Sequence, residues 1–450
     1  MYSLKSIQPD LAAIVNDDIH AVGMQHACYF GAYTFGTTGN QNCFMLHVRM
    51  PVILLRYISM MTLDLPQPDA AARDHSAQLA AIIRNTIAAR SGWIDFSEYM
   101  ELALYTPGMG YYTNGSQKFG EHGDFITAPE ISPLFAQSLA NPVAKILGSL
   151  LQPHIIEFGA GSGKLALDLL MQLELLQALP DQYFIVELSA ELQQRQSQTI
   201  LQQAPHLHER VSWLHTLPAT PLNAVVLANE VLDAMPVTRF VKLNGRFFPL
   251  GVVSHGEGFC LGAGPYDDTL HQYLVTIENE IGYELCDGYT SEVNMNIYPW
   301  LKLLAGVMNK GAVFIVDYGY PRREYYLPER NMGTLMCYFQ HRSFDDALRY
   351  PGLQDITAFV DFTAVADAAL NSGFEVQGYT SQAHFLLDCG LPVLFEEKIG
   401  TDKRKNLQWA QQLKTLTQPS EMGERFKVMM LTKNIEQNFP GFGLQDPREF

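Results

Sequence analysis

The chain has 450 residues, enough for one large domain with insertions or for two to three smaller domains. Hydrophobic residues make up 47% of it and charged residues 17%, a balance that excludes disordered and fibrous proteins. The formal net charge of -17 disfavours sequence-independent binding to nucleic acid, because such a surface repels a polyanion.

The N-terminal residues 1–60 show no sustained hydrophobic period. They predict a poorly ordered extension that is dispensable for folding, with translation starting at Met60 or Met61; an extra packed subdomain is the alternative. The first helix is predicted over residues 74–90, where Leu79 and Ile83 fall on one face.

From residue 153 to residue 335, short apolar runs alternate with helical segments, which is typical of a parallel sheet with crossover helices. Strands are predicted at 154–158, 183–188, 211–214, 224–228 and 312–317. Helices are predicted at 164–178, 190–204 and 297–308. A hairpin is predicted over 239–253 because Asn-Gly separates two apolar runs. Segments 373–387 and 426–432 are expected to form an antiparallel pair at the sheet edge.

The six cysteines include no CxxC pair or Cys/His cluster, which favours reduced thiols and predicts no metal site. The most apolar stretch, residues 43–61, is interrupted by Arg49 and Arg56, so it falls short of the ~18 apolar residues of a membrane span. The N-terminus has no secretory-signal pattern. We therefore expect no membrane insertion, a cytoplasmic location in a bacterial source and the mitochondrial matrix in a eukaryotic one.

The most informative segment is the glycine loop, Glu157-Phe-Gly-Ala-Gly-Ser-Gly163, which joins a predicted strand to a predicted helix. Its glycines let the backbone approach a ligand that faces the helix N-terminus. A P-loop is excluded, since three residues rather than four separate Gly159 from Gly163. A dinucleotide fingerprint would place its third glycine at the position of Lys164, so NAD remains only an alternative. A glycine turn without a ligand is the other alternative.

The same loop has the form E-x-G-x-G-x-G, with which class I methyltransferases bind S-adenosylmethionine. It predicts this cofactor, held by Glu157, Gly159, Gly161 and Gly163. Glu187 ends the second strand, where a carboxylate can accept hydrogen bonds from both ribose hydroxyls. A solvated strand end is the alternative for Glu187.

Further segments closely resemble the MidA family of class I methyltransferases, namely residues 92–112, 120–135, 228–237, 316–320 and 354–358. The resemblance covers about residues 77–435, and Gly123-Asp-Phe-Ile-Thr-Ala-Pro-Glu-Ile-Ser132 is close to diagnostic. Phe359 stands where the family pattern has a histidine, so no imidazole can act at this position.

The resemblance implies an α/β fold: a mostly parallel, seven-stranded, Rossmann-like sheet with an N-terminal helical extension and inserted segments. It implies a helical and lid region at 61–150, a methyltransferase domain at 151–435 and a tail at 436–450. Insertions are expected at about 236–296 and 338–362. The mitochondrial members of the family are protein-arginine methyltransferases for complex I assembly. The resemblance therefore implies that the methyl acceptor is an arginine of a protein of the complex I subunit type.

Acidic residues supply the remaining site predictions. Glu230 and Asp233 follow the fourth strand, at the sheet edge where α/β proteins bind ligands, and are the predicted catalytic residues. Paired carboxylates suit a guanidinium, whose planar fork they can hold in a bidentate manner. Asn229 is a predicted cofactor ligand; the alternative is that Asn229 and Asp233 only cap a helix.

Asp124 and Glu130 are predicted cofactor-binding residues in a segment that covers the site. A capping box between Thr127 and Glu130 is the local alternative. His341 is a weak candidate, since a lone histidine is more often structural. Asp317 can be explained as a strand-terminal cap. Rival functions are a catalytically inactive assembly scaffold, methylation of a small molecule and methylation of RNA, the last disfavoured by the negative charge.

Overall fold

The computed structural model describes residues 66–114, 127–437 and 439–444. The predicted extension at residues 1–60 and the predicted ligand Asp124 lie outside these ranges. Within them, no helix is both long and apolar enough to cross a membrane. No group of three or more His, Cys, Asp or Glu side chains in the same ranges could hold a metal ion.

The elements alternate as the hydrophobic pattern predicts over the middle of the chain. The strands are β1 (Ile94–Asp95), β2 (His154–Phe158), β3 (Gln182–Val186), β4 (Val211–Leu214), β5 (Leu222–Asn229), β6 (Thr238–Leu243), β7 (Arg246–His255), β8 (Gly258–Ala263), β9 (Thr290–Val293), β10 (Met308–Tyr320), β11 (Met336–Phe339), β12 (Arg342–Phe344), β13 (Asp355–Thr357), β14 (Val360–Asp361), β15 (Glu375–Ser381) and β16 (Phe426–Lys433).

The helices include the first one predicted, which begins four residues earlier than expected. They are α1 (Ala70–Ala89), α2 (Phe96–Tyr105), α3 (Ala128–Ile131), α4 (Pro133–Leu147), α5 (Lys164–Leu175), α6 (Ala190–Gln203), α7 (Asp268–Ile281), α8 (Ile297–Val307), α9 (Arg322–Tyr325), α10 (Phe362–Asn371), α11 (Gln382–Asp388), α12 (Leu391–Lys398) and α13 (Lys403–Thr417).

The main sheet is mixed and confirms the predicted Rossmann-like, mostly parallel arrangement. Its order is β15-β16-β10-β5-β2-β3-β4, with the short β14 beside β10. Strands β4, β3, β2, β5 and β10 run parallel to one another. Strand β16 is antiparallel to both of its neighbours, which confirms the predicted antiparallel pair.

One strand prediction is wrong in its second half. The segment predicted at 373–387 is a strand only through Ser381, and α11 follows it directly. The Ser381 hydroxyl accepts a hydrogen bond from the His384 N–H at 3.4 Å, which caps the new helix. A serine cap inside an apolar stretch therefore changes the backbone from extended to helical.

Helices cover both faces of the main sheet. Helices α4 and α5 pack with the strands in one hydrophobic core, and α8 and α10 pack on the opposite face in a second core. Strand β5 is therefore buried on both sides, and residues 224–228 of it are buried without interruption. This burial explains why the central strands read as continuous apolar runs rather than as alternating ones.

A second sheet lies outside the main one. Among the described residues it contains β1, β7, β6, β9 and β8, paired in antiparallel fashion. The predicted hairpin is confirmed: β6 and β7 are joined at Asn244 and Gly245, whose φ angles of 50° and 72° suit a tight hairpin turn. Strands β12, β11 and β13 form a third, small sheet, and Asp355 is the first residue of β13.

Candidate functional site

The glycine loop follows β2 and leads into α5. Gly159, Gly161 and Gly163 have φ angles of 63°, 54° and 84°, in the left-handed region that favours glycine. A Cβ added to Gly163 would lie 3.0 Å from the Cα of Gln196 on α6. The backbone conformation of the loop thus favours glycine at these positions. Without side chains there, the loop backbone is accessible to a ligand.

A cavity lies against this loop. It is lined by Thr127, Pro129, Glu130, Glu157, Gly159, Ala160, Gly161, Ser162, Lys164, Leu165, Asn229 and Glu230. The fold therefore brings five of the predicted cofactor ligands (Glu157, Gly159, Gly161, Asn229 and Glu130) to one cavity, together with the predicted catalytic residue Glu230. Gly163, Glu187 and Asp233 do not line it.

Glu130 connects the segment before α4 to the glycine loop, because its Oε1 accepts a hydrogen bond from the Ser162 hydroxyl. The capping-box alternative is wrong. Thr127 does occupy the N-cap of α3, but its side chain makes no capping hydrogen bond.

Glu187 lies just beyond β3 and is only 1% exposed, so the solvated alternative is wrong for this side chain. Its Oε1 accepts from the Ser189 N–H at 2.9 Å and its Oε2 from the Gln196 amide at 3.2 Å. The same amide donates to the Gly161 carbonyl at 3.1 Å. Gln196 thereby ties the Glu187 carboxylate to the glycine loop.

Glu157 is buried at the end of β2, with 2% of its surface exposed. Its Oε2 accepts a hydrogen bond from the Tyr183 hydroxyl at 2.7 Å. Burial raises the pKa of Glu157 to about 7, although the hydrogen bond from Tyr183 opposes the shift.

The segment after β5 is a turn and not a helix, so the helix-capping alternative for Asn229 and Asp233 is wrong. Glu230 has a φ of 52°, an unusual conformation for a residue with a side chain. Its N–H donates to the Val316 carbonyl at 2.8 Å. Non-glycine residues held in this way concentrate at functional sites.

Asp317 on β10 stabilises this turn and is more than a strand-terminal cap. The side chain is fully buried, and its Oδ2 accepts from the backbone N–H groups of Leu232 and Asp233 at 3.0 and 3.2 Å. The Ala358 N–H donates to the Asp233 carbonyl at 2.9 Å. The 230–235 turn, named here the acceptor loop, is thus held by two distant segments.

The acceptor loop presents carboxylates that are buried beside one another. Burial, followed by the charge of Asp233, raises the pKa of Glu230 well above its usual value. Burial raises the pKa of Asp233 to about 6, against an opposing hydrogen bond from the Tyr318 hydroxyl. The pKa of Asp317 is also raised, by burial and then by Asp233 and Glu230. Burial is the first cause of each shift, so the protonated form of these carboxyl groups is favoured when no opposite charge lies nearby.

Two acceptor atoms in this region lack a partner. Asp233 Oδ1 and Asn229 Oδ1 are buried and accept no hydrogen bond from the part of the chain that the structure describes. Asp233 itself is 97% buried, since only 3% of its surface is exposed. A buried polar atom without a partner is costly, so a ligand that donates N–H groups would stabilise both.

Comparison with known proteins assigns the family. The family model described as "Putative S-adenosyl-L-methionine-dependent methyltransferase" matches residues 138–380, more than half of the chain. The chain belongs to this family. The match also confirms the resemblance to the MidA family, and with it S-adenosylmethionine as the cofactor.

Solved and curated relatives agree with this assignment. The methyltransferase is 42% identical to a Burkholderia thailandensis protein whose crystal structure holds S-adenosyl-homocysteine; the TM-score is 0.81, over 85% of this chain and 99% of that one. It is 29% identical to the Drosophila melanogaster relative named "Protein arginine methyltransferase NDUFAF7 homolog, mitochondrial", over 83% of this chain and 88% of the relative. The human relative, named "Protein arginine methyltransferase NDUFAF7, mitochondrial", is 26% identical over 76% of this chain and 80% of its own length.

Two further residues considered from the sequence do not line the cavity against the glycine loop. His341 is exposed at the turn between β11 and β12, with a φ of 61°. Phe359 packs edge-on against Tyr318 at 5.0 Å between ring centroids and stacks on Tyr320 at 5.6 Å. Phe359 therefore acts as a packing residue in this methyltransferase.

Two buried tyrosines near the acceptor loop are not among the site residues predicted from the sequence. Tyr105 donates to the Ala234 carbonyl at 2.7 Å, and Tyr112 donates to Asp355 Oδ1 at 2.5 Å. The sequence signal for both tyrosines is the glycine-rich Tyr-Thr-Pro-Gly-Met-Gly-Tyr-Tyr motif at 105–112.

Proposed function

We propose that this methyltransferase methylates the guanidinium group of an arginine in a protein substrate. The observation that carries the proposal is the buried Glu230 carboxylate, which lines the cavity against the glycine loop together with Asn229. The buried Asp233 carboxylate follows three residues later in the same turn, and Asp233 Oδ1 and Asn229 Oδ1 accept no hydrogen bond from the described residues. The curated relatives named as protein arginine methyltransferases support the choice of arginine.

For the cofactor, we propose Glu157, Gly159, Gly161, Gly163, Glu187, Asn229, Asp124 and Glu130 as the binding residues. The left-handed glycines leave a backbone cradle, and the cavity against it is lined by polar groups, so the residues present fit S-adenosylmethionine. The cofactor supplies an electrophilic methyl group on a sulfonium. The chain itself has to hold the two substrates in line, which is a large part of catalysis.

For the acceptor, we propose that Glu230 and Asp233 hold the guanidinium and direct one nitrogen towards the methyl group. The cation lowers the raised pKa values of both carboxylates, because an opposite charge favours the ionised form. In the transfer, the new N–CH₃ bond forms as the S–CH₃ bond breaks, and one N–H proton leaves the nitrogen. The Glu230 carboxylate, which the bound cation keeps ionised, accepts that proton.

The partner we propose is a subunit of respiratory complex I, following the family resemblance. The mitochondrial relatives fit a matrix location if the source is eukaryotic. A bacterial chain would act in the cytoplasm. As the catalytic unit we propose residues 151–435.

Methyl transfer tests the proposal directly. The full chain is incubated with S-adenosylmethionine labelled in its methyl group and with purified complex I subunits, and the modified residue is located by mass spectrometry. We expect label on arginine and none on the same subunits carrying lysine at that position. Label on a small molecule from a cell extract, with none on protein, would favour small-molecule methylation. Cofactor binding without any transfer would favour an inactive scaffold.

Cofactor affinity tests the proposed role of Glu187. We expect Glu187→Ala to weaken S-adenosyl-homocysteine binding by about 10-fold to 100-fold, since a charge-assisted hydrogen-bond pair contributes roughly 1.5 to 3 kcal/mol. Glu191→Ala, an exposed glutamate on α6, is the matched control and should bind normally. Calorimetry measures both, and NADH should give no heat of binding with either protein. Unchanged affinity in Glu187→Ala would remove Glu187 from the cofactor site.

A further inference from the structure

The segment after α2 returns to that helix and carries two adjacent tyrosines. The Tyr112 N–H donates to the Leu104 carbonyl at 2.9 Å. A Cβ on Gly110 would lie 2.6 Å from the Leu104 carbonyl, so only glycine permits this approach. The glycine-rich motif therefore serves to place Tyr112, rather than to bind the cofactor.

Tyr112 is placed against a carboxylate of the small third sheet. Its hydroxyl donates to Asp355 Oδ1 at 2.5 Å, and both side chains are buried, with 3% and 2% of their surfaces exposed. The Tyr112 ring stacks on Tyr105 at 5.5 Å between centroids. Tyr105 in turn donates to the Ala234 carbonyl at 2.7 Å, in the acceptor loop. The two tyrosines thus connect α2 with both Asp355 and the acceptor loop.

Asp355 lies three residues before Ala358, whose N–H donates to the Asp233 carbonyl in the acceptor loop at 2.9 Å. Its charge contributes to the raised pKa of Glu230, after burial and the charge of Asp233. It comes from β13, whereas Glu230 and Asp233 come from the loop after β5. The carboxylates around the acceptor position are therefore supplied by two separate segments of the chain.

We infer that Asp355 is a third carboxylate for the acceptor cation and that Tyr112 is the positioning residue that aims it. This inference rests on the proposed function. A guanidinium is a planar fork with five N–H donors, so it can use acceptors on more than one edge, whereas an ammonium is a compact point charge. The Asp355 carboxylate, held by Tyr112, supplies the hydrogen-bond acceptor for a second edge of the guanidinium. This selects a guanidinium over an ammonium group.

Small cations test this selectivity without methyl transfer. Calorimetry at pH 8, with S-adenosyl-homocysteine at saturation, measures the binding of ethylguanidinium and of ethylammonium. We expect the unmodified protein to bind ethylguanidinium at least about 10-fold more tightly. Asp355→Asn and Tyr112→Phe should each lower ethylguanidinium affinity by about 10-fold and ethylammonium affinity by less than about threefold.

A double variant separates positioning from general packing. If Tyr112 acts through Asp355, adding Tyr112→Phe to Asp355→Asn should weaken ethylguanidinium binding no further. Tyr99→Phe is the matched control, because it also removes a buried hydroxyl, which donates to the Ala347 carbonyl at 2.7 Å. This control should keep the selectivity of the unmodified protein even if its melting temperature falls.

The outcomes distinguish this inference from the proposed function. Equal binding of the two cations, retained selectivity in the single variants, or additive losses in the double variant would each overturn the inference. Selective guanidinium binding without methylation of any arginine would overturn the proposed function and leave the inference standing. Arginine methylation with unchanged selectivity in Tyr112→Phe and Asp355→Asn would overturn the inference alone.

Discussion

Replacing Glu230 with glutamine is expected to lower turnover by a factor on the order of 100 or more, while affinity for S-adenosyl-homocysteine stays nearly unchanged. Glutamine keeps the size of the side chain and one acceptor oxygen but cannot balance the charge of a guanidinium. The measurement is a methyl-transfer rate at saturating cofactor, paired with calorimetry of cofactor binding. A Glu230→Gln enzyme of full activity would contradict the catalytic role.

The backbone at Glu230 offers a second variant that separates catalysis from folding. Its φ of 52° is better tolerated by asparagine than by glutamate. We expect Glu230→Asn to fold with a melting temperature at or slightly above that of the unmodified protein, yet to transfer methyl groups poorly. A stable and inactive variant would show that the backbone conformation at this position is unfavourable for glutamate, and that glutamate is retained because its carboxylate is needed.

Replacing Asp233 with asparagine is expected to stabilise the protein at neutral pH while reducing turnover. The pKa of Asp233 rises from 3.8 to about 6 on folding. The protonated form is thus favoured in the native state, and the associated stability is fully present below pH 3.8 and is lost as the pH rises through about 6. At pH 7 and above, ionised Asp233 costs roughly 1 to 3 kcal/mol, which asparagine avoids.

Denaturant unfolding at several pH values measures this effect. The unmodified protein should lose stability between about pH 4 and pH 6.5, and Asp233→Asn should lose less over that window. Asp402→Asn, at the exposed N-cap of α13, replaces an aspartate outside the site and should keep full methyl-transfer activity. Identical pH profiles for the unmodified protein and Asp233→Asn would contradict the raised pKa. Full activity in Asp233→Asn would contradict its proposed role in holding the acceptor.

The sequence determined the central sheet and the glycine loop because both depend on local patterns. Apolar runs of four to eight residues, bounded by helical segments, located the parallel strands, since strands buried on both faces carry no polar alternation. The glycine loop was readable because left-handed backbone favours glycine wherever it occurs, and Gly159, Gly161 and Gly163 each adopt it. The Asn-Gly hairpin follows the same rule.

Tertiary structure alone decided the conformation of the acceptor loop and the arrangement of its carboxylates. Residues 229–235 have the composition of a capped helix, but Asp317, 85 residues away from Leu232, accepts the N–H groups of the turn instead. Tyr112 and Asp355 are separated by 243 residues and meet only in the folded chain. No local pattern specifies such pairs, because their contact depends on which buried groups remain unpaired once the sheets have formed.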